Sequence, residues 1–236
     1  MHRTGAVIFV FTFSLALSAQ GADRVFESGA QRAHLLELFT SEGCISCPPA
    51  EAWPSKLKSD PRLWKDFVPL AFHVDYWDRL GWRDPFATKE WTARQYQYSA
   101  NWKGDSVYTP GFVLDGHEWL ERSVPASSSQ RPGVLKLSIA DKKITAAFIP
   151  KESGTDNVDL YVAMLAFDLT TKVTAGENNG RNLRQDFVVL SLVNKKMSDG
   201  KTEIPLNADS RAGAVAAWIT APNQLGPIQA VGGWLR

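Results

Sequence analysis

The chain has 236 residues, and its 26 lysines and arginines nearly balance 25 aspartates and glutamates, for a formal net charge of +1. That balance argues against a nucleic-acid surface or an anionic-membrane face, both of which need clustered positive charge. Apolar residues make up 44% of the sequence, so a chain of this length can bury a core as one large domain or two small ones.

The first 21 residues read as an address. His2 and Arg3 supply a short basic stretch, Ala6 to Leu17 an uncharged apolar run, and Ala19-Gln20-Gly21 a small-x-small cleavage site. The apolar run is shorter than the roughly 20 residues that cross a bilayer. Residues 1–21 are therefore expected to be a secretory signal peptide. The mature protein is expected in the periplasm or outside the cell, with no stable membrane insertion after cleavage.

The rest of the chain is organised around the stretch Leu35 to Pro49, LLELFTSEGCISCPP. Leu35 to Phe39 reads as a buried strand and Thr40 to Gly43 as a turn, with a helix expected to begin between Cys44 and Cys47. A thiol at such a place meets unpaired N–H groups at the positive end of the helix dipole, which favours its thiolate. Pro48 and Pro49 are compatible with a first helical turn, where a missing N–H costs nothing.

These two cysteines are the only ones in the chain. A disulfide between them closes a very short loop, and short loops contribute little stability. Three uses remain open: a redox pair, an inert local disulfide and a metal site. The metal reading is disfavoured, because a closed zinc site needs four ligands and none of His34, His73 and His117 has ligand spacing to another. No metal and no cofactor is expected.

Ala50, Trp53 and Leu57 recur at helical spacing beyond the cysteines, with Pro54 expected to bend that helix. Phe67 to Tyr76 is a second buried-strand candidate, parallel to the first across a right-handed crossover. His73 and Asp75 on it are open to two readings, proton carriers for a departing thiol or hydrogen-bonded structure. Trp77 to Gly104 is an aromatic-rich insertion in which Asp84-Pro85 is expected to open a helix running to about Ala100. Asp115-Gly116 then marks a hairpin turn.

A CxxC at a strand-to-helix turn, then a parallel strand, a helical insertion and Thr109-Pro110 before a hairpin resembles the thioredoxin fold. The segments ELFTSEGCxSCPPA, AFHVDYWDxLGW, YTPxxVxDG and GENxGR resemble more closely an uncharacterised family of secreted bacterial thioredoxin-like proteins. The thioredoxin resemblance implies that Cys44 is the nucleophile, Cys47 the resolving thiol and Pro110 a cis-proline. It also implies that the Thr109 backbone is open to an extended substrate segment. The chain departs from thioredoxin at Gly43, where thioredoxin has Trp, and at Leu38, where thioredoxin has a buried Asp. The proton of Cys47 must then leave by another route, for which Glu37, His73 or water are the candidates; Glu37 should face away from the site by strand alternation.

Val124 to Gly133 reads as a linker, and the pattern beyond it is β. Strands are expected at Val134–Ala140, Ile144–Ile149, Val158–Leu169, Phe187–Val193 and Gly213–Thr220, as in a small antiparallel sandwich. In the GENNGR segment, Glu177, Asn178 and Arg181 form either a polar hairpin turn or a patch that contacts the redox domain or a partner. The expected architecture is an α/β thioredoxin-like domain with a helical insertion (residues 30–123), a linker (124–133) and a small antiparallel β-sandwich-like domain (134–236). The expected function is thiol:disulfide exchange with protein thiols or disulfides of the periplasm. The alternative is a non-catalytic binding protein on a thioredoxin scaffold, with an inert local disulfide.

Overall fold

Leu35 to Phe39 lies in a strand, β2 (His34–Thr40), which is buried at every position and pairs in parallel with β3 (Phe67–His73), also buried throughout. Continuous apolar runs of this kind need cover on both faces of the sheet. The computed structural model, which describes residues 24–121, 123–152, 157–206 and 209–235, shows where that cover comes from. The expected signal peptide lies outside the described residues.

The chain is mixed α/β, mostly strand, with two α-helices among the described residues. The helix α1 (Cys47–Lys56) lies on one face of β2 and β3, where Ala50 packs with Leu36, Leu38, Phe67 and Ala71. The helix α2 (Lys89–Asn101) covers the other face, where Trp91 and Tyr98 meet Leu35, Phe39, Val68, Leu70 and Phe72. Alternate side chains of each strand thus go to different cores, as a pleated strand requires.

The sheet extends on both sides. The strand β4 (Gly111–Leu114) pairs antiparallel with β2, and β5 (His117–Glu118) comes after it across the Asp115-Gly116 turn. The C-terminal half contributes β6 (Gly133–Ala140), β7 (Lys143–Pro150), β8 (Val158–Ala166), β9 (Leu169–Lys172) and β10 (Asn182–Gln185). Then come β11 (Val188–Met197), β12 (Lys201–Pro205), β13 (Ala212–Thr220) and β14 (Pro227–Trp234). Strand β11 joins β3 in parallel through Val188 and Ala71, so one eight-stranded sheet runs in the order β14-β13-β8-β11-β3-β2-β4-β5. The hydrogen bonding of this sheet is continuous between the two halves of the chain.

A second, antiparallel sheet of four strands has the order β1-β6-β7-β12, where β1 is Arg24–Glu27. It packs on the β8 and β13 end of the large sheet, burying Leu135, Leu137 and Phe148 against Val162, Val215 and Ala217. The opposite side chains of the same strands, Ala163, Leu165, Ala214 and Trp218, join the core beneath α2. Strands β9 and β10 stand apart as a two-stranded ribbon.

The expected helix start at Asp84-Pro85 is corrected. The helix α2 begins at Lys89 and is capped by Thr88, whose side chain accepts from the Trp91 N–H. Asp84 Oδ1 does accept from the Phe86 N–H at 2.9 Å, but the bond closes an isolated turn, while Oδ2 is held by His73 and the Glu42 N–H.

Candidate functional site

Cys44 stands in the turn between β2 and α1, three residues ahead of the first helical residue, and its carbonyl oxygen accepts from the Cys47 N–H at 3.2 Å. Ser46 is the N-cap position, and Pro48 and Pro49 fall in the first turn, where their missing N–H groups have no acceptor to lose. Both cysteines are free thiols, Cys44 only 1% exposed and Cys47 fully buried.

Thr109 and Pro110, distant in sequence, stand at this turn, and the bond between them is cis. The Cys44 sulfur lies 3.8 Å from the Thr109 carbonyl oxygen and 3.3 Å from Ser46 Oγ. Trp77 Nε1 donates to Thr109 Oγ1 at 2.7 Å, which fixes the threonine beside the sulfurs. Trp77 also explains Gly43: a Cβ added there would lie 2.9 Å from the Trp77 Cβ, closer than packed atoms approach.

The two thiols are strongly unequal. A hydrogen bond from Cys47, aided by Ser46 and Thr109 and opposed by burial, draws the Cys44 pKa from 9.0 to about 6. Burial, and then the sharing of its proton with Cys44, holds Cys47 protonated far above the ordinary thiol range. Near neutral pH the pair is therefore one thiolate and one thiol.

Of the two sequence candidates for a proton route, Glu37 sits on the other face of the sheet. Its carboxylate accepts from Arg94 at 2.7 and 2.9 Å and from the Tyr98 hydroxyl at 2.5 Å, all on α2. The Arg94 guanidinium is in turn surrounded by the rings of Phe72, Tyr98, Tyr161 and Trp218. His73 lies on the site's side, fully buried, with Nδ1 2.7 Å from Asp84 Oδ2, and that carboxylate raises its pKa against the effect of burial. Asp75, expected on the same strand, lies two residues beyond its end and is tied to α2 by Thr92.

The carboxylates that approach the dithiol were not singled out from the sequence. Glu51, one turn beyond Cys47 on α1, is 7% exposed and accepts from Thr40 Oγ1 at 2.5 Å. The Thr40 hydroxyl is also within hydrogen-bonding reach of Cys47. Burial raises the Glu51 pKa, with nearby His73 working the other way. Glu42, two residues before Cys44, is fully buried, accepts from Trp82 Nε1 at 3.0 Å, and is pushed up to about 7 by burial and by Asp84. The spacing from Cys47 to Glu51 was a usable signal, because residues four apart on a helix share a face.

The GENNGR segment, at the tip of the β9–β10 ribbon, lies on the cysteine turn. Asn178 is fully buried, and its Nδ2 donates to the carbonyl oxygens of Glu42 and Cys44 at 2.8 and 2.9 Å. Glu177 Oε2 accepts from the Ile45 N–H at 2.9 Å, and Arg181 donates to Asn178 Oδ1 at 2.7 Å. The same residues also make the hairpin turn, with Arg181 N–H donating to the Asn178 carbonyl. Among the described residues no cluster of three or more His, Cys, Asp or Glu has the geometry to hold a metal ion.

Fold and site together define a mixed α/β protein whose two cysteines sit at the junction of a buried parallel strand and a helix. The chain belongs to the family described as "Protein of unknown function (DUF1223)", which matches residues 35–220. Among solved structures it is similar to protein AGR_C_4864 from Agrobacterium tumefaciens, at 26% identity and a TM-score of 0.67, over 86% of this chain and 95% of that one. It is also similar in fold to HBP35 of Porphyromonas gingivalis, at 14% identity and a TM-score of 0.53, over 87% of this chain and 76% of that one. No curated protein matches it.

Proposed function

We propose that this protein is a thioredoxin-like thiol:disulfide oxidoreductase, exported through its N-terminal signal segment, that acts on thiols or disulfides of periplasmic or secreted proteins. One observation carries the reading: two adjacent sulfurs of opposite character, Cys44 ionising near pH 6 and Cys47 kept protonated beside it, next to the Thr109 backbone. Dithiol exchange needs that inequality, since the thiolate attacks and the thiol is held back until a mixed disulfide exists.

The Cys44 thiolate attacks one sulfur of a substrate disulfide, forming a mixed disulfide and expelling the other sulfur as thiolate. Cys47, once deprotonated, attacks the Cys44 sulfur; the substrate leaves as a second thiolate, and the protein holds the disulfide. Two electrons pass from protein to substrate, and the reverse sequence oxidises a substrate dithiol. Exposed Ile45 and Tyr108 flank the turn and offer apolar contact to a polypeptide.

One observation favours the second reading, a binding scaffold with an inert cysteine pair: the Cys44 side chain is almost wholly covered. Alkylation of the reduced protein across pH separates the two. The oxidoreductase reading expects Cys44 to react first, with a midpoint near pH 6. It also expects the Cys47→Ala variant, expressed with its leader, to hold exported proteins in mixed disulfides. A thiol that reacts only above about pH 8, the ordinary range of a free cysteine, together with an empty trap, selects the scaffold.

A further inference from the structure

Dithiol exchange at this site leaves one proton unplaced. In the free dithiol the Cys47 S–H is shared with the Cys44 thiolate. When Cys44 is bonded to substrate, its sulfur is no longer an anion and that acceptor is gone. Cys47 must nevertheless lose its proton before it can attack, in a place where burial opposes a thiolate.

Hydrogen bonding by the hydroxyls of Thr40 and Thr109 also acts on the Cys47 thiol. Thr109 Oγ1 already accepts from Trp77 Nε1 and meets the Tyr76 hydroxyl, and neither is a carboxylate that could take a proton. Thr40 Oγ1 donates its proton to Glu51, which leaves its lone pairs to accept from the Cys47 thiol. A directed chain results, from Cys47 S–H to Thr40 O–H to the Glu51 carboxylate. Its three members come from the last residue of β2 and from one face of α1, so the packing of α1 on the sheet holds it in place.

We infer that Glu51, acting through the Thr40 hydroxyl, receives the Cys47 proton in the resolving step. The inference rests on the oxidoreductase reading and deepens it. As Cys47 attacks Cys44, its proton moves to Thr40 Oγ1, and the Thr40 proton moves to Glu51. The Cys44–substrate bond breaks, the Cys44–Cys47 bond forms, the substrate sulfur leaves with the electron pair, and Glu51 ends neutral.

The groups facing Glu51 suit this task. Thr40 reaches it from β2, His73 from β3, Gln185 from β10, and Asp84 from the segment before α2. The Glu42 carboxyl belongs to the same cluster through its interactions with His73 and Asp84. Burial makes the Glu51 carboxylate a stronger base than an exposed one, while positive charge on His73 favours its ionised form. Glu37 has no part in it, being committed to Arg94 across the sheet.

The test uses the whole reduced protein and dithionitrobenzoate, a disulfide that releases one coloured thiolate when Cys44 attacks it and a second when Cys47 resolves the adduct. Glu51→Gln and Thr40→Val should alter the first release far less than the second, because the hydrogen bonds that favour the Cys44 thiolate come from Cys47, Ser46 and Thr109. Both should slow the second release by roughly 10²-fold at neutral pH and make it climb with pH, as hydroxide replaces the internal base. Thr40→Ser, which keeps the hydroxyl, should restore the second release and so separates relay from folding. If Glu51→Gln resolves as fast as wild type, or slows both releases alike, the relay is overturned while the exchange reading stands. A wild-type protein that releases one thiolate and stops overturns both.

Discussion

The side-chain amide of Asn178 donates to the main-chain carbonyl of Cys44 at 2.9 Å and to that of Glu42 at 2.8 Å, although 134 and 136 residues of chain separate the partners. The turn that presents the nucleophile is thus fastened from outside, by the tip of a ribbon belonging to neither large sheet. Asn178→Ala removes a donor from each of two buried carbonyl oxygens, of which that of Cys44 keeps the Cys47 N–H, and leaving a buried acceptor short of its partner costs about 1–3 kcal/mol. The expected outcome is a clear drop in the urea midpoint and faster alkylation of Cys44 by a bulky maleimide. Unchanged values for both would show that the amide fastens nothing.

The Cys44 thiolate should depend most on its neighbour. Its pKa of about 6 has the Cys47 hydrogen bond as the largest favourable cause, then those of Ser46 and Thr109. Cys47→Ala should therefore move the alkylation midpoint upward more than Ser46→Ala does. Linkage gives a second reading of the same shift. Between pH 6 and 9 the folded thiol has lost a proton that the unfolded one keeps, so stability of the reduced protein should rise with pH across that window. Acidification through the folded pKa removes the gain, and Cys44→Ser should lack the rise.

Glu42 works in the opposite sense. Its carboxyl titrates at about 7 in the folded chain against 4.5 ordinarily, raised by burial and by Asp84. Between those values the folded state holds a proton that the unfolded state has released, so this group lowers stability as pH climbs through the window. Glu42→Gln removes the contribution. Its gain in urea midpoint over wild type should be larger above the folded pKa of about 7 than near the ordinary value of 4.5, and a gain independent of pH would contradict the assignment.

Arg94 and Glu37 form a buried ion pair within an aromatic enclosure, remote from the sulfurs. Arg94→Met strands the Glu37 charge, and breaking one partner of such a pair costs about 3–5 kcal/mol. The Cys44 alkylation midpoint of the folded variant should stay where it is in wild type. A shift would reconnect Glu37 to the redox pair.

Much of the frame could be read locally. The apolar runs at Leu35–Phe39 and Phe67–Tyr76 and the turn at Asp115-Gly116 carry their own signals, and strands are found at each, the second ending at His73, three residues short of Tyr76. Strand alternation also correctly turned Glu37 away from the helix bearing Cys47. Asp84 misled because a side chain that accepts from the N–H two residues on opens a turn as readily as a helix, and here the turn ends before α2 starts at Lys89. The short edge and ribbon strands β1, β10 and β12 passed unread. Each is only four or five residues long and half-exposed, too short for its alternation to stand out from the neighbouring sequence.

By itself the sequence determined that two cysteines would meet at a strand-to-helix turn, because spacing, proline placement and hydrophobic runs act over a few residues. Only the tertiary structure decided which acid stands near the buried thiol, that the Glu177–Arg181 tip braces the nucleophile's turn, and that both halves share one sheet. Those outcomes depend on which surfaces are pressed together when apolar area is removed from water. That force is non-directional, so no local pattern names the partner.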